Sequence, residues 1–176
     1  MACTTACNRC FHLPPCFSTA TTTLSSTVEI CWDMGSAGAS SQYDSDHNAN
    51  RAFQSAQSVH TAPWANAESD KFPVMVWNRL PDKVRVASLS FSSRMKSKWV
   101  EQSPTDFELV GSDNCDDWTS ISSFQTKFTK ASEVQSWDVA VDERKAFRCI
   151  GIKINKVGSG PFAAIQNLKM YAESGY

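Results

Sequence analysis

The sequence has no long apolar run, few histidines and tyrosines, and no excess of charge of either sign. No apolar stretch approaches the roughly 18 residues that are typical of a membrane-spanning helix, so none is predicted. The 17 basic residues are nearly balanced by 18 acidic ones, and the formal net charge is -1. This balance gives no overall attraction to nucleic acid or to an anionic membrane surface. The cationic residues between Arg79 and Lys98 are interpreted as solvated strand faces, so no nucleic-acid partner is predicted.

A leader sequence is not predicted either. The first thirty residues lack both the basic region and the apolar core of about 7–15 residues that define a signal peptide. The sequence therefore predicts a cytoplasmic location, or an extracellular one if Met1 is not the natural start.

Catalytic motifs are also missing. The three histidines, His12, His47 and His60, lie in a predicted tail or in predicted loops. No Gly-x-Ser-x-Gly or His-Glu-x-x-His motif and no framework of paired carboxylates surrounds them. We therefore predict a protein that is not an enzyme and needs no cofactor.

Seven cysteines are present, and they fall into two groups. Four crowd the N-terminus, where a free, reduced tail is the favoured interpretation and palmitoylation, disulfides or a zinc site with His12 remain open. The other three are predicted to be reduced, because strand interiors favour buried thiols and no leader directs the chain to an oxidising compartment. The first group is Cys3, Cys7, Cys10 and Cys16, and the second is Cys31, Cys115 and Cys149.

Composition divides the chain into a tail and one domain. Residues 17–27 are almost entirely Ser, Thr and Ala and read as a linker, which places a tail and linker at residues 1–25 and a domain at residues 26–176. The tail is expected to be ordered only if a partner holds it, and deleting residues 1–24 is expected to leave the domain folded.

Alternating apolar residues predict an all-β domain. Phe107 and Leu109 flank Glu108, and a polar turn follows before Trp118. Strands are also predicted at 28–32, 74–77, 83–91 and 147–154, around Trp137, Val139 and Val141, and at Leu168 and Met170, with a turn at 78–82. The apolar phase changes within 83–91, which predicts a bulge near Ala87-Ser88. The one predicted helix is 49–56, with Asn48 as its N-cap.

Several motifs resemble the discoidin domain, also called the coagulation factor 5/8 type C domain. They are the segments Lys98–Val100, Ser103–Leu109, Asp117–Trp118, Gln135–Trp137 and Phe147–Ile154, and the closing strand Ala163–Tyr171. The resemblance covers roughly residues 26–173. It implies a galactose-binding-like jelly roll, an antiparallel β-sandwich or barrel of about eight strands with ligands at the loops of one end. Members bind sugars, phospholipid surfaces, collagen or other proteins.

The resemblance also raises two specific site questions. A fucose-binding motif is rejected, because Ala87 stands where the family pattern after His60 and Arg85 needs an aspartate. Because calcium needs six to eight oxygens, a solvated acidic loop is the favoured interpretation and a calcium site is the alternative. Its expected ligands are Asp44, Asp46, Asn48 and Glu173.

Two polar segments, 55–71 and 92–103, are predicted to be loops that carry the contact residues. Loops on a rigid frame commonly carry recognition, and tryptophan and arginine are enriched at binding hot spots. The predicted ligand-binding set is Trp64, Arg94, Lys96 and Trp99. We therefore predict a binding module for a glycan, a lipid headgroup or a protein. The alternative is a structural subunit of an intracellular cytoskeletal or ciliary assembly, docked through barrel and tail.

Overall fold

The computed structural model describes residues 27–30, 32, 35–54 and 62–174, and within them the chain forms an antiparallel β-sandwich. One short α-helix, α1 (Asn50–Phe53), and two 3-10 helices, Ser45–His47 and Ser97–Gln102, accompany the strands. The strands are β1 (Thr27–Glu29), β2 (Ser36–Ala39), β3 (Trp64–Ala65), β4 (Val74–Ser92), β5 (Pro104–Ser112), β6 (Thr119–Gln125), β7 (Val134–Asp138), β8 (Ala146–Val157) and β9 (Ala164–Glu173).

Strand β4 joins the two layers of the sandwich. Its first part pairs with β2 and β8, and its second part pairs with β7 and β9. The main strand order is β1-β9-β4-β8-β5-β6, and every pairing is antiparallel. The predicted all-β jelly-roll architecture is confirmed.

The change of layer takes place at irregularities in β4. Its register against β9 shifts between Val86 and Ser88, which confirms the predicted bulge. The predicted turn at 78–82 is wrong, because these residues lie inside β4 at a register shift opposite β8. Leu80 is only 4% exposed and anchors this bulge in the core, while the polar residues after it face solvent.

Aromatic and branched side chains fill the space between the layers. The Phe91 ring centroid lies 5.2 Å from that of Phe107 and 4.8 Å from that of Trp137. Alternate residues of β8, Ile150, Ile152 and Ile154, are fully buried beside them, as their spacing predicts. Such burial of apolar surface is the main stabilising contribution to the fold.

Three smaller predictions need correction. Helix α1 ends at Phe53 because Gln54 is extended, and Asn48 does not cap it but donates its Nδ2 to the Ser45 carbonyl. In the described part of the chain the first strand is β1, which ends at Glu29, so Ile30 and Trp32 of the predicted strand 28–32 lie outside it. Val141 is 74% exposed, because the chain leaves β7 after Asp138 and turns.

The prediction of reduced cysteines is wrong for two of them, because Cys115 and Cys149 form a disulfide. Ser112 at the end of β5 pairs directly with Cys149 on β8. The chain then turns tightly, with Cys115 at φ 65° and its N–H donating to Ser112 Oγ at 3.0 Å. The two Cα atoms are brought to 5.4 Å. Cys31, the N-terminal cysteines, His12, His60 and the tail lie outside the described residues.

Candidate functional site at the loop end

The strand registers sort the connecting segments into two ends of the sandwich. Three strand pairs place their adjoining loops at one end of the sandwich. They are Pro104 with Val157, Ser92 with Gln166, and Val134 with Ser92. We call this the loop end. It comprises segments 41–47, 66–73, 93–103, 126–133 and 158–163. The opposite end carries the irregular part of β4 at 80–83 and the connecting segments 113–118 and 139–145, together with Thr27 and Glu173, which pair at the start of β1.

An exposed aromatic group lies at the loop end. Tyr43 is 48% exposed, although few large apolar side chains are exposed in the described part of the chain. Its ring centroid lies 5.3 Å from that of Phe162 and 5.4 Å from the His47 ring, which meets it edge-on. We call Tyr43, His47 and Phe162 the aromatic group. It offers a flat apolar surface with polar atoms at its rim.

Backbone and side-chain hydrogen bonds hold this group in place. The Tyr43 N–H donates to the Ala65 carbonyl at 2.8 Å. Asp44 Oδ1 accepts from the N–H groups of Asp46 and His47 at 2.9 and 3.0 Å, which caps the 3-10 helix. The same oxygen lies 2.7 Å from His47 Nδ1. The hydrogen bond with the His47 side chain is the main cause that lowers the pKa of Asp44.

In a second group, three cations surround the indole ring of Trp99. Arg94 Cζ and Lys96 Nζ each lie 4.6 Å from the Trp99 ring centroid, and Lys98 Nζ lies 4.7 Å away. These are cation–π distances. We call these four residues the cationic group. The structure thus brings together three of the four predicted contact residues, Arg94, Lys96 and Trp99, while their role in binding stays a prediction.

Arg94 is the innermost member of the cationic group. It is only 8% exposed, and its Nη1 donates to Gln102 Oε1 at 2.6 Å. Burial lowers the pKa of Arg94 to about 10, which still leaves the guanidinium charged at neutral pH. Its backbone carbonyl accepts from the Ser132 N–H at 3.2 Å and ties the segment to the neighbouring loop.

Segment 158–163 lies between the two groups. On one side, the Gly160 N–H approaches the Glu101 carbonyl at 3.4 Å, and a Cβ at Gly158 would come within 2.8 Å of the same oxygen. Glycine therefore permits close packing against the 3-10 helix that carries Trp99. On the other side, Phe162 of this segment contacts Tyr43. Tyr43 and the 3-10 helix that carries Trp99 therefore lie on two sides of one loop.

Trp64 does not belong to the predicted contact set. It is fully buried in β3, where it pairs with Ile165 of β9, and its Nε1 donates to the Ser41 carbonyl at 3.1 Å. The polar residues around it favoured a surface loop, but pairing with β9 turns the indole into the core. The prediction of Trp64 as a surface contact is therefore wrong.

The predicted calcium ligands are not brought together either. Glu173 lies at the opposite end, where it pairs with Arg144 at 2.6 Å and Arg85 at 3.5 Å. The Asp44 carboxylate accepts a hydrogen bond from the Asp46 N–H of the 3-10 helix. Asn48 Oδ1 is buried without a hydrogen-bond partner, but one such oxygen is far from the six to eight that calcium needs. Among the described residues, no three His, Cys, Asp or Glu side chains are grouped to hold a metal ion.

Sequence reasoning missed Tyr43 and Phe162, whose rings meet at the loop end. Tyr43 follows a segment of small residues, and Phe162 follows the Gly158-Ser-Gly-Pro161 turn. A large aromatic residue next to turn formers is the signal that could have been used. Neither position predicts the other, because they meet only through the pairing of β3 with β9.

Comparison with known proteins identifies the fold. No protein-family profile and no curated protein matches the chain. The family 32 carbohydrate-binding module of Clostridium perfringens NanJ, solved with galactose, is 20% identical with a TM-score of 0.64 and aligns over 82% of this chain and 98% of that one. A second C. perfringens family 32 module, solved with GalNAc-β-1,3-galactose, is 14% identical with a TM-score of 0.66 over 81% and 98%.

A further similar structure is the F5/8 type C domain of a Bacteroides fragilis protein. It is 11% identical with a TM-score of 0.66 and aligns over 84% of this chain and 97% of that one. These likenesses establish the discoidin-like, galactose-binding-like jelly-roll fold that the motifs predicted. In the described part of the chain, no helix is long and apolar enough to cross a bilayer.

Proposed function

We propose that this domain is a non-catalytic module that binds a glycan at its loop end. The observation that carries the proposal is the aromatic group, in which the exposed Tyr43 and the partly exposed Phe162 present adjoining ring faces with centroids 5.3 Å apart. Such faces pack against the apolar side of a sugar ring, while a few fixed polar groups select its hydroxyls. The galactose and GalNAc-containing ligands of the similar modules support this class of ligand.

The polar groups beside the rings fit binding better than catalysis. The hydrogen bonds that lower the pKa of Asp44 keep its carboxylate ionised near neutral pH. It can therefore accept hydrogen bonds from sugar hydroxyls, but it is poorly suited to serve as a general acid, which needs a raised pKa.

Calorimetric titration tests the proposal directly. Galactose, GalNAc-β-1,3-galactose and chitosan oligosaccharides are titrated into the parent and into Tyr43→Ala and Phe162→Ala. At least one saccharide should bind the parent, and each variant should bind it about tenfold more weakly with an unchanged thermal midpoint, because these side chains are partly exposed. Val141→Ala, which changes an exposed side chain at the opposite end, is the control. Parent-like affinity in both ring variants would place the site elsewhere.

The other predicted partners and the predicted location remain predictions. A lipid headgroup, a protein partner and docking into an intracellular assembly are each compatible with a jelly roll of this kind. The Cys115–Cys149 disulfide is typical of an oxidising compartment, which argues against the cytoplasm. Alkylation and mass spectrometry of the protein from its native source would measure the state of these cysteines.

A further inference from the structure

The cationic group contains charges that the described part of the molecule leaves uncompensated. Arg94, Lys96 and Lys98 form no ion pair with a described residue, which is also true of eight other described Lys and Arg side chains, whereas five cations are paired, Arg144 with Glu173 at 2.6 Å among them. Glu101 lies in the same 3-10 helix but pairs with none of the three. Cation–π contact with Trp99 stabilises a cation without neutralising its charge.

The three uncompensated positive charges lie close together, because all three cations contact the same ring. An indole has two faces, so at least two of the three cations lie over the same face of Trp99. Like charges held close together repel, and the repulsion is stronger beside a buried group such as Arg94. An anion bound among them would relieve it, and arginine and lysine donors form charge-assisted hydrogen bonds with carboxylate, sulfate or phosphate.

Positive charge is enriched in two neighbouring segments of the loop end. Segments 93–103 and 126–133 hold five cations and two carboxylates, although the whole chain carries a formal net charge of -1. One of the two carboxylates, Glu133, is occupied by hydrogen bonds from Thr129, Lys130 and Gln135. The field around segments 93–103 and 126–133 therefore favours an anionic group, whereas segments 41–47 and 66–73 of the same end hold four carboxylates and one lysine.

We propose that the loop end recognises an acidic saccharide, with the sugar ring against the aromatic group and its sulfate or carboxylate at Arg94, Lys96 and Lys98. The inference rests on the proposed glycan-binding function and adds the charge of the ligand to it. Segment 158–163 connects the two groups, since it contacts Tyr43 through Phe162 and Glu101 through its glycines. A compact group of three cations suits one acidic substituent better than the extended phosphate backbone of a nucleic acid. Among the described residues of this end, Tyr43 and Val134 are the exposed large apolar side chains, and two such side chains give little apolar surface for insertion into a bilayer.

Matched pairs of sugars test the charge requirement. The affinities of the parent for galactose 6-sulfate and for galacturonic acid are each compared with that for galactose by calorimetry at low salt. We expect each acidic sugar to bind about tenfold more tightly, because a hydrogen bond to a charged group is stronger than one between neutral groups. The ratio should decrease as sodium chloride is raised from about 50 to 500 mM, since salt screens partly exposed charges.

Lysine variants locate the effect. In the double variant Lys96→Gln/Lys98→Gln, the ratio of acidic to neutral affinity should fall to about one. Lys145→Gln removes an exposed lysine near the opposite end and should keep the parent ratio. Thermal unfolding checks that both variants are folded, and Arg94→Lys, which keeps the charge but not the planar fork, gives a second test if the double variant unfolds. That single variant should lower the ratio, because lysine binds as a point charge.

Failure of the inference differs from failure of the proposed function. If galactose and its acidic derivatives bind equally, or if the double variant keeps the preference, the acidic ligand is wrong while glycan binding stands. If no saccharide binds, both are overturned. Phosphatidylserine vesicles and a single-stranded oligonucleotide serve as further arms. Tighter binding of either one, lost in the same double variant, would show that the cationic group serves another class of ligand.

Discussion

The two ends of the sandwich both carry charged side chains, but they differ in how many of these side chains form ion pairs. At the opposite end, several charges are paired and the chain is cross-linked. Glu173 forms ion pairs with Arg144 and Arg85, and Lys83 forms one with Asp113. A disulfide links segment 113–118 to β8. At the loop end, three cations surround Trp99 without an ion pair, and Tyr43 is left half-exposed. These contacts stabilise one end, while the other presents cations and an aromatic ring to the ligand that we propose.

This difference shows why contact residues should be sought among groups that the fold does not satisfy. Natural proteins depart from local consistency mainly at functional sites, because selection there acts on binding and not on stability. Buried or cross-linked groups such as Trp64 and Cys149 already have their partners inside the protein. Changes at the two ends should therefore separate stability from binding.

The largest effect is expected for Trp64→Ala. This fully buried indole lies at the base of the loop end, and its removal leaves a cavity and an unpaired Ser41 carbonyl. We expect a loss of about 4 kcal/mol in the free energy of unfolding, measured by urea denaturation. Trp64→Phe, which keeps most of the volume, is the control and should lose less. A parent-like stability in Trp64→Ala would mean that the residue is a surface contact after all.

Removing the disulfide is expected to cost slightly less. Cys115 and Cys149 are 34 residues apart, and cross-linking a loop of that length stabilises by about 3–4 kcal/mol through the unfolded chain. Cys115→Ala/Cys149→Ala should lower the free energy of unfolding by that amount and leave saccharide affinity at the loop end unchanged below the thermal midpoint. Alkylation of both thiols in unfolded, unreduced parent protein would show instead that no bond forms.

Glu173→Ala should have a smaller effect on stability. It leaves Arg144, whose side chain is only 14% exposed, without its carboxylate, which we expect to cost about 2–3 kcal/mol because the pair is largely but not fully buried. Asp113→Ala breaks the exposed pair with Lys83 and is the matched control, with an expected cost below about 0.5 kcal/mol. Equal losses in the two variants would remove the distinction between buried and exposed pairs at this end.

The smallest effect is expected for the pH dependence of stability, at Glu133 of the loop end. Hydrogen bonds from the Thr129 N–H and the Gln135 side chain lower the pKa of Glu133 from 4.5 to about 2. Because the folded state holds this proton less tightly than the unfolded state, the contribution to stability is present above pH 4.5 and is lost as the pH falls toward 2. Glu133→Gln should flatten the decrease in thermal midpoint over this range. Asp142→Asn, an exposed acid at the opposite end, should leave the profile unchanged.

Alternation of apolar residues was enough to predict the central strands. Phe107 with Leu109, and Ile150 with Ile152 and Ile154, follow the period of two that any half-buried strand must have, whatever its neighbours are. The phase change before Leu89 predicted the bulge for the same reason, since a slip of one residue would expose the apolar set. The jelly-roll fold followed from the order of the motifs, and the gathering of Arg94, Lys96 and Trp99 followed from their closeness in sequence.

Only the tertiary structure decided which residues from distant segments meet. Trp64 is buried because its short strand pairs with β9, a partner that its polar neighbours do not indicate. Tyr43 meets Phe162, and Cys115 meets Cys149, through registers between strands far apart in the chain. Glu173 pairs with Arg144 and not with the acidic segment around Asp44, because β9 carries it to the opposite end. Local patterns specify which face of a strand is buried, but pairing between strands depends on the packing of the whole core, and that pairing places each side chain at one end of the sandwich or the other.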